Sequence, residues 1–127
     1  EHGASVWCDP WRWLPEAARI LRPGGYLVFL VNSVLSTLCV PDTGPATTAL
    51  QRGQADLGRM SFDGVEYHPS HSEWIAALTA SGFVVSALHE LMAPPEAADH
   101  DFYEIADVQW AQRWPAEDLW VARRVGS

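Results

Sequence analysis

Two imidazoles stand three residues apart in Tyr67-His68-Pro69-Ser70-His71, and a third lies in Asp99-His100-Asp101. Histidine titrates near neutral pH and ligates metals, so such a set could hold a metal ion, move a proton or contact a substrate. The spacing matches no zinc pattern, and no thiolate joins it, because Cys8 and Cys39 lie far apart and form no C-x-x-C. Surface and helix-start histidines are the commoner reading; beside it, substrate contact by His68 or His71 is a better minority reading than a metal site. The seven tryptophans could line an aromatic pocket, but Trp74, Trp114 and Trp120 fall on segments where core packing explains them. Trp7, Trp11 and Trp13 cluster at a helix start and are less easily explained. Glu117-Asp118 reads as a solvated turn.

The chain that must position these groups has 127 residues, with a formal charge of −8 and 48% apolar residues. That is one domain with a modest core. Every basic side chain other than histidine is Arg, and Arg22, Arg123 and Arg124 are too scattered to make a footprint for nucleic acid. No apolar run approaches the ~20 residues that span a bilayer. There is no basic-then-apolar leader, so a cytoplasmic protein with two reduced core thiols is expected.

The first predicted element is a helix from Asp9 to about Arg22. Asp9 is a good N-cap, and Pro10 sits where its missing N–H costs nothing. Leu14, Ala17, Ala18 and Leu21 fall on one face. Pro23 stops the helix, and Gly24-Gly25 allows a tight reversal into Tyr26-Leu27-Val28-Phe29-Leu30-Val31. That run has no polar alternation, so a strand covered on both faces is expected. Residues 32–66 read as irregular, with a short helix near Asn32–Val40 and a hairpin around Asp63-Gly64. Ser70-His71-Ser72-Glu73 matches a capping box for a helix ending at Ser81-Gly82, with Trp74, Ile75, Ala77 and Leu78 inward. Phe83 to Leu91 reads as a strand near an edge, Tyr103 to Trp114 as weakly helical, and Leu119 to Ala122 as the last strand.

The stretch Glu16-Ala17-Ala18-Arg19-Ile20-Leu21-Arg22-Pro23-Gly24-Gly25 resembles the segment before the fifth strand of class I S-adenosylmethionine (SAM)-dependent methyltransferases. HSEWIAALTASGFVV is similar to that family's next helix and sixth strand, and WPAEDLWVARR to its last, antiparallel strand. The nearest flavour is the group related to ubiquinone and menaquinone biosynthesis. The resemblance implies an α/β fold: a partial Rossmann-like sheet holding the fifth, seventh and sixth strands with flanking helices. It covers residues 1–127 as the C-terminal half only, with 32–69 a substrate-side insertion.

The resemblance also implies a SAM cofactor and a small-molecule methyl acceptor, with no role for nucleic acid or membrane. The family's glycine-rich cofactor loop has no counterpart here, since no G-x-G occurs. Glu1, His2 and Gly3 would follow the fourth strand, as cofactor contacts, with His2 the candidate general base. Trp7, Asn32, His68 and His71 would touch substrate, Asn32 lying just past the apolar strand, where open α/β sheets bind ligands. Such a half should bind SAM weakly or not at all. It should form a homodimer or pair with the missing N-terminal half. The alternative is a non-catalytic, methyltransferase-like interaction module.

Overall fold

The computed structural model describes residues 4–62, 64–99 and 105–126. Glu1, His2 and Gly3, together with Asp63, His100 and Asp101, lie outside them. A 3-10 turn, Ala4–Trp7, leads into helix α1, Pro10–Ile20. The Asp9 carboxylate accepts the Trp11 amide at 3.0 Å, as its N-cap position requires. Leu14 and Ala18 are buried on the face that meets the sheet. The helix stops one turn before Pro23, and Gly24 at φ +82° supplies the left-handed step into β1, Tyr26–Asn32.

Helix α2, Val34–Cys39, follows at once, N-capped by Ser33. A loop then leads to the hairpin β2, Gly58–Phe62, and β3, Gly64–His68. Gly64 already pairs with Phe62, so it belongs to the strand and not to a two-residue turn. Helix α3, His71–Ala80, begins with the Ser70 hydroxyl accepting the Glu73 amide and ends at Gly82, φ +92°. Strand β4, Phe83–Leu91, helix α4, Val108–Arg113, and strand β5, Glu117–Arg124, complete the chain.

The main sheet has the order β1-β5-β4, with β5 antiparallel to both neighbours, so that β1 and β4 run the same way. This is the expected α/β arrangement: a partial Rossmann-like sheet with its last strand inserted between the other two. One face carries Phe29, Val31, Trp120, Ala122 and Phe83, packed against Leu14, Trp74, Ala77 and Leu78 of α1 and α3. Rings dominate this core: Trp13 meets Phe29 edge-on at 5.6 Å, and Phe29 lies 4.9 Å from Trp74.

Several expectations are corrected. The β1 run is apolar on both faces but buried on one: Tyr26 is 57% and Val28 42% exposed, while Phe29 and Val31 are buried. Val84 and Leu91 of β4 join the open face. α1 and α3 pack together on the inner side. Ile75 and Trp114 point outward, and Cys8 is exposed, so of the two cysteines only Cys39 is a core thiol. Glu117-Asp118 is not a turn but the start of β5, with Asp118 buried.

Candidate functional site

The start of α3 and the start of β5 meet at one end of the main sheet, beside the carboxyl end of β1. β5 is antiparallel to β1, so Asp118 sits opposite Val31 and Glu117 opposite Asn32. Period-2 alternation turns Asp118 inward with Trp120 and Ala122. The first residue of α3 reaches the same place, and His71 Nε2 lies 2.8 Å from Asp118 Oδ2. The imidazole also packs edge-on to Trp120, with centroids 5.8 Å apart.

Burial raises the Asp118 carboxyl above its ordinary pKa. The hydrogen bond and charge of His71, then the Val34 amide at the start of α2, pull it back down, and Glu90 across the sheet pushes it up. Oδ1 is buried and makes no hydrogen bond among the described residues. The side chain of His71 is 39% exposed, whereas that of Asp118 is 2% exposed. With the carboxylate on Nε2, that nitrogen carries the hydrogen and Nδ1 is left as the basic atom. A buried carboxylate that orients a solvent-facing imidazole can hold and pass a proton.

The other predicted residues have separate surroundings. His68 is buried at the end of β3, with Nε2 2.9 Å from Glu66 Oε1, and does not share the Asp118 partner. Asn32 ends β1, half-buried, in register with Glu117. Trp7 is exposed in the 3-10 turn. Glu1, His2 and Gly3 fall outside the described residues, as does the Asp99-His100-Asp101 cluster beyond Asp99. Among the described residues no three His, Cys, Asp or Glu side chains gather as a metal site would need. No helix there is long and apolar enough to cross a membrane.

Sequence reading missed Asp118. The signal available was the alternation Asp118-Trp120-Ala122, which places the acid on the same face as two core residues.

The carboxyl end of β1 makes no open cradle for a nucleotide-like cofactor. The Ser33 hydroxyl donates to Pro115 O at 2.6 Å and accepts the Ser36 amide at 2.9 Å. The Ser36 hydroxyl is held by the Ser33 and Ala116 carbonyls. These donors are spent inside the protein, and no glycine-rich strand-to-helix turn stands beside them.

Neither a protein-family model nor a curated protein matches the sequence. Solved structures do match. An S-adenosylmethionine dependent methyltransferase from Mesorhizobium loti is 22% identical with a TM-score of 0.67, over 97% of this chain and 59% of its own. A putative S-adenosylmethionine dependent methyltransferase from Listeria monocytogenes is 18% identical with a TM-score of 0.69, over 98% and 59%. A putative methyltransferase complexed with the Trm112 methyltransferase activator of Haloferax volcanii is 22% identical with a TM-score of 0.61, over 99% and 52%. At such identities the likeness is one of fold. The chain therefore has the fold of SAM-dependent methyltransferases, and it spans little more than half the length of these structures.

Proposed function

We propose that this chain is the C-terminal, acceptor-side half of a class I SAM-dependent methyltransferase that methylates a small molecule. The observation that carries the reading is the β1-β5-β4 order, with the reversed last strand between two co-directional ones. The described residues do not fit SAM by themselves. The cofactor would be held by polypeptide preceding these residues, with Glu1, His2 and Gly3 at the junction.

What this chain's own residues supply is proton handling. His71, held by Asp118, would accept a proton at Nδ1 from an acceptor hydroxyl or amine as it becomes a nucleophile. The candidate base is thus His71 on structural grounds, beside His2 from the family resemblance. Asn32 and His68 remain candidate substrate contacts, and Trp7 a third.

Calorimetric titration with SAM tests this reading. The 127-residue chain should show no saturable binding at sub-millimolar ligand, because losing the cradle leaves the entropic cost of association uncompensated. A longer polypeptide that restores the preceding half should bind in the micromolar range. Micromolar binding by the chain alone would overturn the proposal.

The second reading, a non-catalytic interaction module, is favoured by the apolar outer face of the sheet. Upstream coding sequence separates the two readings. An in-frame glycine-rich G-x-G segment supports the enzyme half, and a start codon with no such segment supports the module.

A further inference from the structure

A second, smaller core lies away from the sheet. Cys39 of α2, Ala46, Ala106, Trp110 and Ala111 of α4, and Ala116 pack together there. Between α2, the loop after it and α4 is a cavity of about 140 Å³. Its walls come from Leu35, Cys39, Leu50, Trp110 and Trp114, together with the exposed Thr47-Thr48 pair.

Most of the polar atoms around this cavity are engaged within the protein, the Thr48 hydroxyl at its exposed side excepted. Trp110 Nε1 donates to Thr47 O at 2.9 Å, which fixes the indole against the loop. The Thr47 hydroxyl accepts the Ala49 amide at 3.1 Å, and the Thr47 amide donates to Cys39 O at 3.2 Å. The loop is stapled to α2 a second time by Gln51 N to Leu38 O at 2.8 Å, and a third by Arg52 to the Thr37 carbonyl. The walls are therefore preformed, uncharged and nearly without donors or acceptors. Leu50 is 69% exposed and Trp114 partly so, and both stand on the outer side of the cavity.

Such a space suits water poorly, since a trapped water needs two to four polar partners. An enclosed apolar cavity of about 150 Å³ takes one benzene-sized molecule; this crevice has nearly that volume but is open to solvent past Leu50 and Trp114. Two indoles in the walls favour an aromatic ring over an alkyl chain, although one side of the Trp114 ring is taken by the Arg113 guanidinium, 5.5 Å from its centroid. We infer that the crevice between α2, the 47–50 loop and α4 binds a single uncharged six-membered aromatic ring. The inference does not depend on the methyl-transfer reading, because it rests on the walls of the cavity alone.

Benzyl alcohol and benzylammonium are the probes, matched in shape and differing in charge. In a Cys8→Ser background, Cys39 is the one remaining thiol and reports on the cavity wall. Benzyl alcohol should bind at one saturable site by calorimetry, with a negative heat-capacity change. Benzylammonium should bind at least about tenfold more weakly, because its charge finds no partner there. Saturating benzyl alcohol should slow iodoacetamide alkylation of Cys39 several-fold. Leu50→Ala, at an exposed position that leaves the core intact, should weaken benzyl alcohol several-fold while the unfolding midpoint stays put. Absence of saturable binding up to the solubility of the probe would overturn the inference. So would equal binding of the two probes, or a Cys39 alkylation rate that saturating probe leaves unchanged.

Discussion

Asp118 carries the chemistry that this structure shows most directly, and its energetics give two tests. Its folded-state pKa is raised, chiefly by burial. The folded protein then holds that proton more tightly than the unfolded chain does. The stabilising contribution is complete below the ordinary carboxylate value and is lost as pH rises through the raised one. Asp118→Asn removes the titration and keeps an acceptor for His71. Its stability relative to the parent should therefore rise as pH climbs from below the ordinary carboxylate value toward neutrality, as read by urea unfolding at a series of pH values. A gap that stays flat over that range would contradict the assigned direction. His71→Ala, by contrast, takes away the side-chain hydrogen bond to a buried carboxylate. It should cost about 1–3 kcal/mol, and distinctly less in the Asp118→Asn background, so that a double-mutant cycle reads out the pair.

The elements make sharper demands at the turn between α1 and β1. Gly24 has φ +82°, in the left-handed region that a Cβ disfavours. Gly25 is constrained differently, since a Cβ there would stand 2.9 Å from the Arg22 carbonyl oxygen, which is backbone and cannot swing away. The turn is also closed by the Gly24 amide on Arg124 O at 2.9 Å and the Arg124 amide on Gly25 O at 2.8 Å, which tie it to β5. Gly24→Ala should cost about 1–2 kcal/mol in chemical denaturation. Gly25→Ala should be worse, because the backbone of the turn itself has to move. Phe29→Ala, in the middle of β1 and at the centre of the ring cluster, should cost about 3–5 kcal/mol.

At the scale of the molecule, the outer face of the sheet decides behaviour. Tyr26, Val28 and Val84 are exposed there, and β1 has no strand beyond it among the described residues. An open edge beside an apolar face invites pairing with another polypeptide. The occupant we propose is the preceding half of the same enzyme. Alone, the 127-residue chain should self-associate or be poorly soluble. Light scattering should show species larger than the monomer, and Val28→Lys should reduce them with little loss of stability. A well-behaved monomer at high concentration would count against both the pairing and the proposed division of the protein.

Much of this architecture is local and was therefore legible in the sequence. Asp9-Pro10, Pro23-Gly24-Gly25, Ser70-x-x-Glu73 and Ser81-Gly82 start and stop elements through interactions within a few residues. The apolar run at 26–31 specified a strand because β-branched and aromatic residues without helical spacing suit nothing else. Which face of that run would be buried was not legible, because both faces are apolar and only the position of α1 and α3 chooses between them. Asp118 was not legible as a buried acid either. An Asp beside a Glu after Trp-Pro-Ala has the local chemistry of a turn, and pairing with Val31 across 87 residues of chain made it a strand. The same long-range pairing brought His71 to Asp118, 47 residues away, and closed the tryptophan-lined cavity around Cys39. Hydrogen bonds along the chain fix caps and turns, whereas a site needs groups that are distant in sequence, and only packing brings those together.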